Sequence, residues 1–489
     1  MNIKNEEKLR TYERSARLLL LLAMKRIAPK AKVRFEHSIG QGVYTTVTGT
    51  ELTAALVKQI EQVMREICAE NLPIQKSRMT RQEAMALFEK QGQEDTVRLL
   101  AYRPYEHFDV YTCDGLSEYF YGDMVGATGE IDRFALRFYY PGMVLMLPQE
   151  EEGPVAPFAE RPQLMRTYAR SAEFSRILRS ENAADVNDII QSGEIRTFIC
   201  VNEALHDRAI GQIAERIIAR GARIVFVAGP SSSGKTTFAN RLGIHLRVSG
   251  KRPVAISLDN YYRNREDVPL GLDGKPDLEC LESIDVPLFN AQLIDLLAGR
   301  EAEIPRYSFI TKRREEHGVK LRVKSDEIII VEGIHGLNPK LSDDIPSELK
   351  FLVYISALTQ LNLDNHNRIR ATDVRLLRRI VRDQRTRGTD AIGTMQMWDS
   401  VRAGEEQYIF PYQERADVMF DSSLFYEIPL LKKYAYPLLK QVPQESEHYV
   451  RCRRLVKFLN YFVDCDAEAV IPPTSILREF IGGCTFYDD

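Results

Sequence analysis

No apolar run in this 489-residue chain is long enough to span a bilayer. The richest, Leu18 to Met24, falls far short of the ~20 residues required. It lacks a small-residue cleavage site and reads as a buried helix rather than a signal peptide. Cysteine is sparse and unpaired: Cys68, Cys113, Cys200, Cys280, Cys452, Cys465 and Cys484 are an odd number with no CxxC pair. That excludes zinc-finger spacing and a disulfide frame, and predicts reduced thiols in a cytoplasmic setting. Charge of one sign is also missing. A net charge of -3 supplies no global field to hold nucleic acid or a membrane surface. No repeat or low-complexity segment stands out. What remains, 44% apolar and 28% charged residues, is a globular composition, too long for one core and suited to two or three domains.

Taken in order, residues 1–148 read as an α+β domain. A helix from Glu7 to Ile27 is followed by a strand at Lys32 to Glu36, and a hairpin around Gly40 and Gly42 comes next. An amphipathic helix, Leu52 to Glu70, carries Leu56, Ile60, Val63 and Ile67 on one face. Residues 108–147 are strand-rich. A charged, proline-bearing stretch from Glu150 to Pro157 opens a helical connector, 149–221. Over 222–425, apolar runs at 223–228, 253–258, 327–331 and 350–355 alternate with helices. That alternation predicts a doubly wound parallel sheet. Residues 426–489 read as a helical extension.

The chemistry centres on Gly229-Pro-Ser-Ser-Ser-Gly-Lys-Thr-Thr237. An apolar strand precedes this complete phosphate-binding loop, and a helix with Phe238, Leu242 and Leu246 follows it. The loop amides and the helix N-terminus converge on a polyphosphate, with Lys235 on the transferred phosphate and the Thr236 hydroxyl on magnesium. Asp259 ends the next strand, at the carboxyl edge where open sheets bind ligands, placed to accept a hydroxyl proton. Glu332 ends the strand Glu327-Ile-Ile-Ile-Val, the Walker B position with Glu for Asp, suited to magnesium. The stretch Arg368 to Arg387 holds eight arginines and no lysine. Arg375, Arg378, Arg379 and Arg382 share one helical face, and planar bidentate donors suit phosphate, so the stretch reads as a lid over the phosphates. No Asn-Lys-x-Asp guanine-reading motif follows, which counts against a GTPase switch.

These motifs, with Ser257-Leu-Asp-Asn-Tyr-Tyr-Arg263, Val331-Glu-Gly-Ile-His335 and Arg378 to Gly388, resemble the uridine kinase and phosphoribulokinase group of P-loop kinases. The resemblance covers about 223–422. It implies transfer of the γ-phosphate of ATP to the 5′-hydroxyl of a nucleoside, with Mg2+. Asp259, Lys235 and Arg378 would be catalytic. Gly229, Ser231, Ser232, Ser233, Gly234, Lys235, Thr236, Thr237, Arg379 and Arg382 would bind ATP. Tyr262, Glu279, Tyr307, Phe309, Arg375 and Gln396 would bind the nucleoside, and Thr236, Glu332 and Asp259 the metal. Two positions depart from the pattern: Glu279 stands for the ribose-gripping Asp, and Lys312 for the base-reading His. Residues 357–372 are an extra segment. The alternatives are a kinase of another hydroxylated metabolite, phosphoribulokinase- or pantothenate kinase-like, or an RNA-linked ATPase.

Within 7–148, Ser15 to Pro29, Glu70-Asn-Leu-Pro73, Thr80-Arg-Gln-Glu-Ala84 and Cys113 followed by Thr128-Gly-Glu-Ile131 resemble the editing domain of threonyl-tRNA synthetases. That family's four metal positions fall on Arg14, Leu18, Cys113 and Ser117. One thiol in four predicts neither zinc nor hydrolysis. The expected partner is a small nucleoside, with no membrane and nucleic acid disfavoured. The reading leaves a homo-oligomer open.

Overall fold

The computed structural model describes all residues except Met1, Asn2, Glu152, Leu272, Asp273, Phe309, Ile310, Asp488 and Asp489, and only the backbone of Ile3 and Lys4. The chain forms two compact units. One comprises Met1–Ile195, Thr359–Val374 and Phe425–Asp466, and the other Arg196–Leu358, Arg375–Leu424 and Ala467–Asp489.

The first unit is α+β. Its core gathers around the helix Ile3–Ile27, where Leu18, Leu19, Leu20 and Ala23 are fully buried. The apolar run is therefore interior helix, as its length predicts. A four-stranded antiparallel sheet (Lys32–Ile39, Gly42–Thr48, Gly142–Met146, Ala135–Tyr139, in that spatial order) packs on this core. A three-stranded one follows from Gln75–Thr80, His107–Cys113 and Leu116–Glu118. The helix Ala54–Glu70 starts at Thr53, whose hydroxyl accepts from the Leu56 amide, and buries Val57, Ile60, Met64 and Ile67. Ile60 and Ile67 match the amphipathic expectation. Leu56 and Val63 lie at its margin, packed against the same core.

The segment Thr359–Val374, which includes the first turn of the arginine helix Ala371–Thr386, belongs to this first unit. Asn362 Nδ2 donates to the Phe35 carbonyl at 2.7 Å, and the Phe35 amide donates to the Asn365 carbonyl at 2.9 Å. Arg368 grips the Glu13 carboxylate through Nε and Nη2 at 3.1 and 3.2 Å.

The second unit carries a five-stranded, all-parallel sheet. Its spatial order is Val418–Asp421, Lys350–Ser356, Ile224–Ala228, Glu327–Glu332, Arg252–Ser257. Ile224–Ala228 is central and wholly buried, so it reads as a continuous apolar run rather than an alternating one. The chain passes to one side of it for two strands and to the other side for two. The carboxyl ends thus gather beside the first strand, the crevice where doubly wound sheets bind ligands. The fold class expected from the sequence, a parallel α/β domain beside an α+β domain, is the one observed.

One buried ion pair gives the first unit a pH dependence. Burial disfavours the charged His366 ring, but the Glu118 carboxylate at 2.7 Å overrides it and raises the ring to about 9. The pair's contribution is complete below the unfolded histidine value of about 6.5 and is lost as pH rises through about 9, on the order of 3 kcal/mol in all. The thermal midpoint of this unit should therefore fall between pH 6.5 and 9.5, and Glu118→Gln should flatten the fall. An equal decline in both proteins contradicts the assignment.

Candidate active site

The phosphate loop leaves the central strand at Gly229. A Cβ at this position would come within 1.9 Å of the Ile355 carbonyl oxygen, so only glycine lets the loop begin there. Gly234 at φ 84° turns the chain into the helix Lys235–Val248. Ser232 and Ser233 are buried, and their hydroxyls find no partner among the described residues. Such groups call for a bound acceptor, and phosphate oxygens fit.

Two acids meet at the sheet edge. Glu332 and Ser257 end adjacent parallel strands in register, and the Ser257 hydroxyl donates to Glu332 Oε1 at 2.6 Å. Asp259 follows Ser257 in a short turn, and its amide donates back to Ser257 Oγ at 3.3 Å. Burial raises the Glu332 carboxyl to about 7, with Asp259 reinforcing the shift and Lys235 opposing it. Burial also raises Asp259, while Lys235, Arg387 and Arg382 pull it down. Lys235 is itself lowered by burial, against the pull of Glu332, Asp259 and Glu479, and its ammonium donates to the Pro230 carbonyl at 3.2 Å. A cation between the acids would relieve their mutual repulsion. No cluster of three or more His, Cys, Asp or Glu converges as ligands among the described residues. Asp259, Glu332 and the Thr236 hydroxyl are oxygen donors of the kind magnesium takes, one or two carboxylates with phosphate oxygens and water completing its shell.

The arginine helix Ala371–Thr386 adopts the expected face, but half of it is not a lid. Arg375 and Arg378 are among the largest fully buried side chains. Arg375 donates to the Ser231 carbonyl at 3.0 Å and pairs bidentately with Glu405. Arg378 donates to the Ser422 carbonyl at 2.8 Å. They underpin the loop from below. Arg379 reaches the Ser231 hydroxyl at 2.8 Å, and Arg379, Arg382 and Arg387 converge on the fully buried Asp383.

Among the residues expected to bind a nucleoside, the Tyr262 and Tyr307 rings lie 5.5 Å apart, tilted by 50°. Burial raises Glu279 to about 7, against the pull of Arg379 and Lys235. Phe309 lies outside the described residues. Gln396 is exposed on the helix Ala391–Gly404 and joins no described contact with this cluster.

Sequence reading missed Glu405 and Asp383. Glu405 is fully buried, opens a π-helical turn, and accepts from the Ser231 amide at 3.1 Å as well as from Arg375 and Arg402. Gly404 before it lies against Glu279, where an added Cβ would come within 2.3 Å of the Glu279 Cβ. The junction of the helix Ala391–Gly404 with this π turn, a feature common at functional sites, thus touches both the phosphate loop and Glu279.

Residues 224–426 match the Phosphoribulokinase / Uridine kinase family. This region is a domain of that family. A uridine kinase from Lactobacillus helveticus is 29% identical over 197 residues, covering 40% of this chain and 84% of the relative. One from Halobacterium salinarum is 28% identical over 194 residues, covering 40% and 77%. A solved structure described as a possible uridine kinase from Bacillus stearothermophilus is 22% identical with a TM-score of 0.31, covering 45% of this chain and all of that one. The residues before 224, where the editing-domain resemblance lies, fall outside the family match.

The Glu405 node has a measurable weight. Glu405→Gln leaves Arg375 buried without its countercharge and should cost about 3–5 kcal/mol. Gly404→Ala overpacks against Glu279 and should cost about 1–3 kcal/mol. Chemical denaturation checks both, and a Glu405→Gln protein as stable as the parent excludes the node.

Proposed function

We propose that the kinase domain transfers the γ-phosphate of ATP to the 5′-hydroxyl of a nucleoside. One observation carries the reading: two half-buried carboxylates, Asp259 and Glu332, converge on Ser257 at the sheet edge, and both act on Lys235 of the phosphate loop. Transfer of a phosphoryl group rests mainly on positioning and electrostatics. Asp259 orients the acceptor hydroxyl and accepts its proton. Its raised affinity for a proton, caused first by burial, suits that role. Lys235 and Arg379 meet phosphate charge, with Arg375 and Arg378 holding the loop beneath. Thr236 and Glu332 would hold magnesium, which when bound neutralises phosphate charge, leaving the Asp259 carboxylate to take the hydroxyl proton. Tyr262 and Tyr307 offer aromatic faces to a base, which a sugar phosphate would not need, and Glu279 faces the ribose. The family match and the uridine kinase relatives support this class of acceptor.

Steady-state assays with ATP, magnesium and a panel of nucleosides, ribulose 5-phosphate and pantothenate test the acceptor. A nucleoside should be preferred, and ribulose 5-phosphate outpacing all of them contradicts the pocket assignment. Lys235→Ala should weaken nucleotide binding and turnover together. Asp259→Asn should reduce turnover by at least about 100-fold, the low end of general-base contributions, while ATP affinity survives. Near-normal turnover in Asp259→Asn removes it as the base.

For the first unit we infer a fold kept without a metal site. The Arg14 guanidinium, which donates to the Asp123 carbonyl at 2.9 Å and to Thr11 Oγ1 at 3.1 Å, puts a positive charge where the resembling family places a ligand. Burial pushes the Cys113 thiol up, away from the thiolate a metal needs. Metal analysis of protein purified without chelators should find no stoichiometric zinc, and zinc lost on Cys113→Ser overturns the inference.

A further inference from the structure

Residues Ala467–Asp489 belong to the unit that carries the phosphate loop, although the family match ends at 426. Nothing in the transfer reaction uses them. The Ile476 side chain lies against Gly234, where an added Cβ would come within 2.4 Å of Ile476 Cγ2. Just beyond it, the Glu479 carboxylate accepts from the Thr237 hydroxyl at 2.7 Å and from the Thr237 amide at 3.4 Å. Because that hydroxyl gives its proton to Glu479, Tyr487 is the donor in its own 2.8 Å contact with Thr237 Oγ1. Arg385 holds the Glu479 carbonyl at 3.2 Å, Arg378 lies 5.0 Å from the centre of the Phe480 ring, and Ser475 donates to Glu203 at 2.6 Å. The segment is fastened on several sides.

Thr237 is the third residue of the helix that begins at Lys235. Its amide is one of the first-turn donors that have no acceptor within the helix, at the positive end of the helix dipole. In a phosphate loop such donors serve the nucleotide. A carboxylate and a phosphate oxygen cannot both accept from the same amide and hydroxyl. Their charges conflict as well: Glu479 is the third acid, after Glu332 and Asp259, to act on Lys235. An incoming polyphosphate would meet that carboxylate at the donors it needs.

We propose that residues 475–487 are an autoinhibitory plug in which Glu479 occupies a phosphate position and must leave before a nucleotide binds. The proposal rests on the nucleotide reading of the loop. A protein that spends part of its time plugged shows an affinity reduced by the open fraction.

Two measurements on the full chain test this. ATP with magnesium, without acceptor, is titrated into the parent and Glu479→Gln, with thermal melts confirming that both are folded. Glu479→Gln should bind about tenfold tighter, as expected when roughly one parent molecule in ten is open. Amide exchange of peptides covering 475–487 is then followed in the parent protein alone, which decides the matter even should the variant fail to fold. Exchange there should accelerate when ATP is added. Equal or weaker binding by Glu479→Gln, or slower exchange with ATP, overturns the plug and leaves the nucleotide site standing. Folded proteins that bind no ATP at all overturn both.

Discussion

The second unit is built around a charge imbalance at its sheet edge. Asp259 and Glu332 are brought together by adjacent parallel strands in register, where burial raises both carboxyls. Lys235, on the neighbouring loop, is the first charge to offset them, and its own burial lowers it. An edge so arranged is costly unless further charges are supplied, because buried ions are tolerated only when paired and hydrogen-bonded. The arginine helix, with Arg387 just beyond its end, supplies them. Arg382 and Arg387 pull Asp259 down, and Arg379 does the same for Glu279. The arginines in turn need acids of their own, which Asp383 and Glu405 provide. The site is thus one layered ionic network, with the phosphate loop threaded through its centre.

This network explains why the run from Arg368 to Arg387 contains no lysine. Arg375 answers a carboxylate and a carbonyl at once, and Arg379 a carboxylate and a hydroxyl. A planar fork with five donors does this in one fixed geometry, whereas an ammonium cannot. The same composition would have suited a solvent-facing lid. What separates the two cases is burial, and burial of a charged side chain depends on where its partners lie.

For that reason the candidate site was legible only in part. The loop from Gly229 to Thr237, the strand ends at Ser257 and Glu332, and the buried helix at Leu18 to Met24 are local patterns, each fixed by a few neighbouring residues. They fell where the sequence put them. Glu405 contacts Ser231 across 174 positions, and Glu479 contacts Thr237 across 242. Nothing local marks either acid as different from other exposed-looking glutamates. The arginine face is legible as a face, since helical spacing is local, but its buried half is not, since its partners Glu405 and Ser422 lie outside the helix. Gln396, expected only from the family resemblance, is exposed.

The limits of each compact body follow the same logic. The region matching the family, 224–426, is not the whole of the unit that contains it. That unit also includes Arg196–Leu358 from its first residue and Ala467–Asp489, and it excludes Thr359–Val374. The helix Ile195–Arg220 brings His206 to the Ser423 carbonyl at 3.1 Å and Glu203 to Ser475. The segment Thr359–Val374 is anchored elsewhere, by Glu13, Phe35 and Arg10 of the first unit. A fragment cut at the edges of the family match would therefore lose the partners of Thr237 and Ser423. It would also carry a stretch whose buried arginine and aspartate had lost their countercharges. Stripping one member from a buried ion pair costs more than the pair ever contributed, because the survivor stays desolvated. The chain passes between its two bodies at five points, and the partners of these charges lie in segments that the matched region leaves out.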